Sequence, residues 1–95
     1  MTEKQIEQKL VKAVKEKGGL CWKFTSPGTA GVPDRIVLMP EGHIAFVELK
    51  APSKRLRVLQ EYRMKQLITL GSPCYVIDNA IQIPSVILKI GGDAE

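Results

Sequence analysis

Between residues 35 and 47 the sequence reads Arg35-Ile36-Val37-Leu38-Met39-Pro40-Glu41-Gly42-His43-Ile44-Ala45-Phe46-Val47. Both arms of this segment are rich in β-branched and apolar residues, and a proline and a glycine mark the bend between them. This pattern predicts a β-hairpin. Because the arms are apolar on both faces, we expect two strands in the middle of a covered sheet.

The register of this hairpin decides which side chains meet at its open end. If residues 40–42 form a three-residue loop, Met39 faces His43. The same register places Asp34 opposite Glu48, with Cβ atoms about 5 Å apart on one face. A two-residue or four-residue loop would move Asp34 to the other face. The pairing of the two carboxylates therefore depends on the loop type.

Strand alternation adds a third polar group at this end of the hairpin. Lys50 lies on the same face as Glu48, while Leu49 points to the other face. Two acids and a lysine at the end of apolar strands would be costly if they were buried without partners. A cation bound between the acids would remove that cost, and carboxylate oxygens suit Mg²⁺ or Mn²⁺ better than zinc.

Four features follow one another along residues 3 to 78: Glu7 in a first helix, a Gly-x-Pro-Asp turn at Gly31 to Asp34, a Glu-x-Lys strand at Glu48 and Lys50, and Gln60 followed by the aromatic Tyr62 in the next helix. This order of motifs resembles the virus-type replication-repair nuclease (VRR-NUC) domain of the PD-(D/E)xK superfamily, in its stand-alone phage or bacterial form.

The resemblance implies a restriction-endonuclease-like fold of the α/β (α+β mixed) class. Its core would be α-β-β-β-α-β, with one mixed sheet flanked by helices, and the order of patterns along the chain agrees with it. We expect a single domain over residues 1–95, with a core at about 3–78 and an apolar C-terminal extension at 79–95.

The resemblance also implies roles for individual residues in metal-dependent hydrolysis of DNA. The metal ligands would be Asp34, Glu48 and the main-chain carbonyl of Leu49. Lys50 would orient or help deprotonate the attacking water and offset developing charge. Two further groups, Glu7 and Gln60, would complete the shell around the water or a second metal ion.

The first helix is predicted from Thr2, which forms a capping-box pattern with Gln5, to Gly18-Gly19. Glu7 borders the apolar stripe of this helix, and spacing alone favours a boundary acid that reaches solvent or pairs with a lysine. A role for Glu7 in the site is predicted only by the resemblance.

Leu20 to Phe24 reads as the first strand, and Trp22 is expected in the core rather than as a platform for base stacking. The small, flexible residues at 25–31 form a loop whose glycines would let a DNA phosphate approach the backbone.

A second helix is predicted to start at Pro52-Ser53, with Ser53 as N-cap, and to end at Gly71-Ser72-Pro73. Its first turn would then hold three basic residues, which the helix dipole disfavours unless a phosphate backbone lies near. A solvated basic turn remains equally open. The predicted DNA-binding residues are Lys54, Arg55, Arg57 and Arg63.

Cys74 to Ile77 reads as the last core strand, and the following segment from Ala80 to Ile90 is apolar apart from a break at Pro84. This segment could cover its own core or form a dimer contact, and we favour a homodimer.

The composition is that of a small globular domain with a net charge of +4 and a sequence pI of about 9.2, which is compatible with a polyanionic partner. We expect no membrane segment or signal peptide. Cys21 and Cys74 read as buried thiols, which favours the cytoplasm of a bacterial or phage-infected cell.

No appended DNA-reading module is expected, so recognition would use the DNA backbone and its shape. The resembled stand-alone members imply a dimer that resolves four-way (Holliday) junctions. The alternatives are a nuclease for flaps or other branched DNA, and a non-catalytic DNA-binding module. Intact Asp34, Glu48 and Lys50 argue against the last, because a binding module does not need that set.

Overall fold

The computed structural model describes residues 1–92 of the 95-residue chain. The elements in chain order are α1 (Glu3–Glu16), β1 (Leu20–Lys23), β2 (Arg35–Met39), β3 (His43–Leu49), α2 (Val58–Thr69), β4 (Cys74–Ile77) and α3 (Ile83–Ile90). The four strands form one sheet in the order β1-β2-β3-β4. The first three strands are antiparallel, and β4 runs parallel to β3 after the α2 crossover. The predicted mixed sheet flanked by helices is confirmed.

The hairpin closes through a short 3-10 turn over Pro40–Gly42. Glu41 and Gly42 both adopt left-handed backbone conformations there, with φ of 70° and 82°. Met39 pairs with His43, as the three-residue loop predicts. The register therefore points Asp34, directly before β2, at Glu48 on β3.

The core lies on one face of the sheet, between the strands and the helices α1 and α3. The capping box of α1 is present, since the Gln5 amide N–H donates to Thr2 Oγ1 at 3.1 Å and the Thr2 amide N–H donates to Gln5 Oε1 at 2.8 Å. The main buried side chains are Ile6, Leu10, Val14, Val37, Ala45, Val47, Leu49, Ile77, Ile83, Val86, Ile87 and Ile90.

The prediction that Trp22 is a core residue is wrong, since 57% of its surface is exposed. Strand alternation instead turns Cys21 toward the covered face. On the other face α2 packs against β4, at the far side of the sheet from the edge strand β1.

Cys21 and Cys74 are free thiols, as predicted, although both are only half-buried.

The second helix starts later than the sequence predicts. Its N-cap is Arg57 rather than Ser53, which has a left-handed backbone with φ of 71° and so cannot begin a helix. The basic residues Lys54 and Arg55 therefore lie in a connecting segment before the helix. Because they lie outside the first turn of α2, the helix dipole does not account for them.

The C-terminal segment covers the protein's own core. Four residues of α3 are buried, and the helix packs against α1. Ile81 and Leu88 remain exposed on this segment, at 81% and 50%. The part of the predicted extension at residues 93–95 lies outside the described residues. No helix within residues 1–92 is long and apolar enough to cross a membrane.

Candidate active site

Asp34 forms a hydrogen bond with the strand that carries Glu48. Its Oδ2 atom accepts a hydrogen bond from the main-chain N–H of Leu49, at 2.9 Å. This bond joins the end of the loop before β2 to the last residue of β3. The two predicted metal-binding carboxylates are therefore held side by side at one end of the sheet.

Glu48 is buried, with only 2% of its surface exposed. Its Oε2 atom accepts a hydrogen bond from Gln60 Nε2 at 2.9 Å and lies 3.7 Å from Lys50 Nζ. Its other oxygen, Oε1, is buried and has no hydrogen-bond partner within residues 1–92. Unpartnered buried oxygens are rare in folded proteins, and a bound cation would satisfy this one.

Burial and the neighbouring Asp34 charge raise the pKa of Glu48 from 4.5 to about 7. Lys50 acts in the opposite direction, and Glu3 in the first turn of α1 adds to the rise in pKa. The protein thus holds two carboxylates together at an energetic cost. A divalent cation between them would relieve both the repulsion and the desolvation of Glu48.

The available donors fit a hard cation. The described part of the chain brings together no group of three or more His, Cys, Asp and Glu side chains able to hold a metal ion. Two carboxylates would therefore need main-chain oxygen and water to complete the coordination. Mg²⁺ tolerates such a set, because it commonly keeps several waters and uses only one or two carboxylates.

Gln60 positions Glu48. Its Oε1 atom accepts from the Arg57 main-chain N–H at 2.9 Å, at the start of α2, and its Nε2 atom donates to Glu48. Because one partner is a donor and the other an acceptor, the two bonds fix the orientation of the amide. Gln60, which the sequence predicts at the site, therefore contacts the buried Glu48 carboxylate directly.

Glu7 forms an ion pair with Arg35. Its Oε2 atom accepts from Arg35 Nε at 2.8 Å, and Arg35 also donates through Nη1 to the Cys21 carbonyl at 3.2 Å. The α1 charge that acts on Glu48 comes from Glu3 instead. The site role of Glu7 stays a prediction. Glu3 is exposed and lies one helical turn before Glu7 on the same side of α1.

The predicted DNA-binding residues divide into two sets. Lys54, Arg55 and Arg57 are exposed on the segment that leads from Lys50 to α2. Arg63 is half-buried, and its Nε atom donates to the Ala30 carbonyl at 2.8 Å. The first three are accessible to a phosphate backbone, whereas Arg63 is engaged with the loop before Asp34. Contact of any of the four with DNA stays a prediction.

We expect Gly31→Ala to destabilise the protein by about 2 kcal/mol or more. Gly31 has φ of 85°, and an added Cβ would lie 2.7 Å from Leu59 Cγ. The measurement is urea unfolding, with Gly28→Ala as the matched control. Nothing lies within 4 Å of a Cβ built on Gly28. Equal stability of the two variants would show that the contact between Gly31 and Leu59 is not tight.

The chain is similar to known proteins in sequence and in fold. The sequence model of the VRR-NUC domain family matches residues 1–80. The protein named "Putative nuclease p44" from Acyrthosiphon pisum secondary endosymbiont phage 1 is 44% identical over 77 residues, covering 81% of this chain and 83% of that protein. A solved structure described as a VRR-NUC domain matches with a TM-score of 0.84 and 25% identity, covering 92% of this chain and 96% of the other.

Proposed function

The chain belongs to the VRR-NUC family of nucleases, and from that premise we propose that it is a divalent-metal-dependent endonuclease that cuts branched DNA. The observation that carries the proposal is the buried Glu48 carboxylate, which has one oxygen without a partner within residues 1–92 and lies beside Asp34. A purely structural role would not require the protein to hold these two acids together.

In the proposed reaction the chain supplies ligands, orientation and charge. A cation bound by Asp34, Glu48 and the Leu49 carbonyl would polarise the phosphate and activate a water. The Leu49 N–H and Gln60 hold the two carboxylates in place before substrate arrives. Lys50, close to Glu48, would hold the attacking water and offset the negative charge that develops on the phosphate.

The DNA backbone would approach over the connecting segment that holds Lys54, Arg55 and Arg57. All three residues are exposed, and the segment leads directly from Lys50 to α2. We expect charge reversal of all three to weaken DNA binding at least tenfold and to lower the slope of log affinity against log salt by about 2 to 3. The measurement is a binding titration in EDTA over a range of salt concentrations.

A second triple reversal, at Lys9, Lys12 and Lys15, changes the net charge equally and serves as the control. These lysines are exposed on α1. If both variants weaken binding to the same extent, the effect comes from net charge and the connecting segment is not a DNA contact.

We further propose that the active form is a homodimer and that the preferred substrate is a four-way junction. Paired cuts in opposing strands need two active sites, and one chain carries one. Trp22, Leu20 and Ile44 support a dimer, because they are apolar, about half exposed, and share the sheet face with Asp34 and Glu48. We place the contact there rather than on the C-terminal segment, because four apolar residues of its helix are already buried in the protein's own core.

The experiment compares a labelled four-way junction, a flap and a linear duplex, each with Mg²⁺, Mn²⁺ or EDTA. Paired symmetric nicks in the junction alone, lost in EDTA, are the expected result. Cutting of flaps would support a nuclease but contradict the specificity for four-way junctions. Binding without metal-dependent cutting would favour a non-catalytic module. Trp22→Glu is expected to give monomers by light scattering and to abolish paired nicking, whereas Ile81→Glu should leave both unchanged.

A further inference from the structure

The loop between β1 and β2 determines where Asp34 lies, yet it has few hydrogen bonds of its own. Its base is closed by the Phe24 N–H, which donates to the Asp34 carbonyl at 2.8 Å. Inside the loop, the Thr29 N–H donates to the Ser26 carbonyl at 3.0 Å. Within residues 1–92, one side chain from outside the loop, that of Arg63, hydrogen-bonds to residues 25–33.

Arg63 reaches this loop from α2. Its Nε atom donates to the Ala30 carbonyl at 2.8 Å, and its Nη1 atom donates to Gln66 Oε1 at 3.1 Å. The second bond braces the guanidinium against its own helix. One turn earlier, Leu59 packs against Gly31 so closely that a Cβ there would overlap it. The helix therefore holds the loop at two adjacent positions, Ala30 and Gly31.

The same helix also holds the other carboxylate. Gln60 lies three residues before Arg63, so the two side chains are neighbours on one side of α2. Gln60 donates to Glu48, and Arg63 fixes the loop that ends at Asp34. The distance between the carboxylates thus depends on β3 and on α2 together.

We propose that Arg63 is a positioning residue, which anchors the loop at residues 25–33 and thereby sets the position of Asp34. This inference rests on the proposed nuclease function. It replaces the expectation that Arg63 contacts a phosphate. The planar guanidinium suits the role, because its fixed donors can bind the loop and the helix at once. A displacement of about 1 Å at a reacting group can cost about a hundredfold in rate.

The test uses Arg63→Met, which keeps the aliphatic stem, with Lys65→Met as the control. Lys65 is exposed on the same helix, and its substitution removes the same charge. Three quantities are measured: amide hydrogen exchange of Phe24 and Thr29, whose N–H groups are hydrogen-bonded at the base of the loop and inside it, without DNA; single-turnover cleavage at saturating DNA; and DNA affinity in EDTA against salt. For Arg63→Met we expect at least tenfold faster exchange and cleavage slowed about 10-fold to 100-fold, with affinity and salt slope unchanged.

Arg63→Lys is expected to restore part of the cleavage rate and of the protection, since its ammonium group can still donate to the Ala30 carbonyl. If Arg63→Met does not fold, the same three measurements are made on Arg63→Lys alone. Weaker binding with a salt slope lower by about 1, at unchanged exchange, would overturn the proposal in favour of a phosphate contact. Unchanged exchange and rate would overturn it as well.

The exchange measurement separates this proposal from the proposed function. If the wild type cuts no DNA, the nuclease assignment fails, while faster exchange in Arg63→Met would still support the anchoring of the loop. If the wild type cuts DNA and the loop exchanges equally in both proteins, the anchoring role fails alone.

Discussion

Asp34→Asn and Glu48→Gln are each expected to slow metal-dependent DNA cleavage by about 1,000-fold or more, with the fold intact. Each change removes one of two carboxylates proposed to hold the cation, which corresponds to about 4 kcal/mol of transition-state stabilisation. The neutral amides keep the local bonds, because the carbonyl oxygen of each new side chain can still accept, at position 34 from the Leu49 N–H and at position 48 from Gln60 Nε2. Single-turnover cleavage measures the rate, and DNA binding in EDTA should be nearly unchanged.

The same variants are expected to be more stable than the wild type in EDTA. The pKa of Glu48 in the folded protein is about 7, above its ordinary value of 4.5. The folded state therefore loses stability relative to the unfolded chain as pH rises from 4.5 to about 7, and stays destabilised above that range. At neutral pH, Glu48→Gln should recover about 3 kcal/mol in urea unfolding. A variant that keeps its cleavage, or that is less stable than the wild type in EDTA, would contradict the assignment.

Lys50→Ala is expected to lower the maximal cleavage rate about 100-fold and to change the Mg²⁺ concentration at half-maximal rate much less. The ammonium group lies 3.7 Å from Glu48 Oε2, with only 13% of the side chain exposed. In the proposed reaction its charge would act on the phosphate with little screening by solvent.

The measurement for Lys50→Ala is the cleavage rate against Mg²⁺ concentration. Lys12→Ala, on the exposed side of α1, is the control for loss of one positive charge. Equal losses in maximal rate and in apparent metal affinity would show that Lys50 acts only by supporting Glu48.

The paired carboxylates could be predicted from the sequence because their geometry depends on local rules. Once residues 40–42 form the turn, strand pairing alone brings Asp34 to Glu48. The order of motifs then predicts a metal-binding role for this pair. Neither step required knowledge of how helices pack on the sheet.

The start of α2 and the exposure of Trp22 could not be predicted in this way. Ser53 carries a strong local signal for a helix start, but the chain turns left-handed there and continues through an irregular segment to Arg57. The burial of Trp22 depends on which part of the second sheet face α2 covers. That choice is made by tertiary packing, which residue periodicity does not encode.

The long-range hydrogen bonds of Arg63 and Arg35 could not be predicted from the spacing of residues in the sequence either. Arg63 and Ala30 are 33 residues apart, and Arg35 and Glu7 are 28 residues apart. Nothing local distinguishes an arginine that binds a carbonyl from one that meets a phosphate. The charge of Arg63 predicts a contact with DNA, and that contact stays a prediction.

Whether Asp34 and Glu48 share a divalent cation is measured most directly by titrating Mn²⁺ into the DNA-free protein in a calorimeter, for the wild type, Asp34→Asn and Glu48→Gln. We expect measurable binding by the wild type and none by either variant. Equal binding by all three proteins, or DNA cleavage by the wild type that persists in EDTA, would contradict a metal site at these carboxylates.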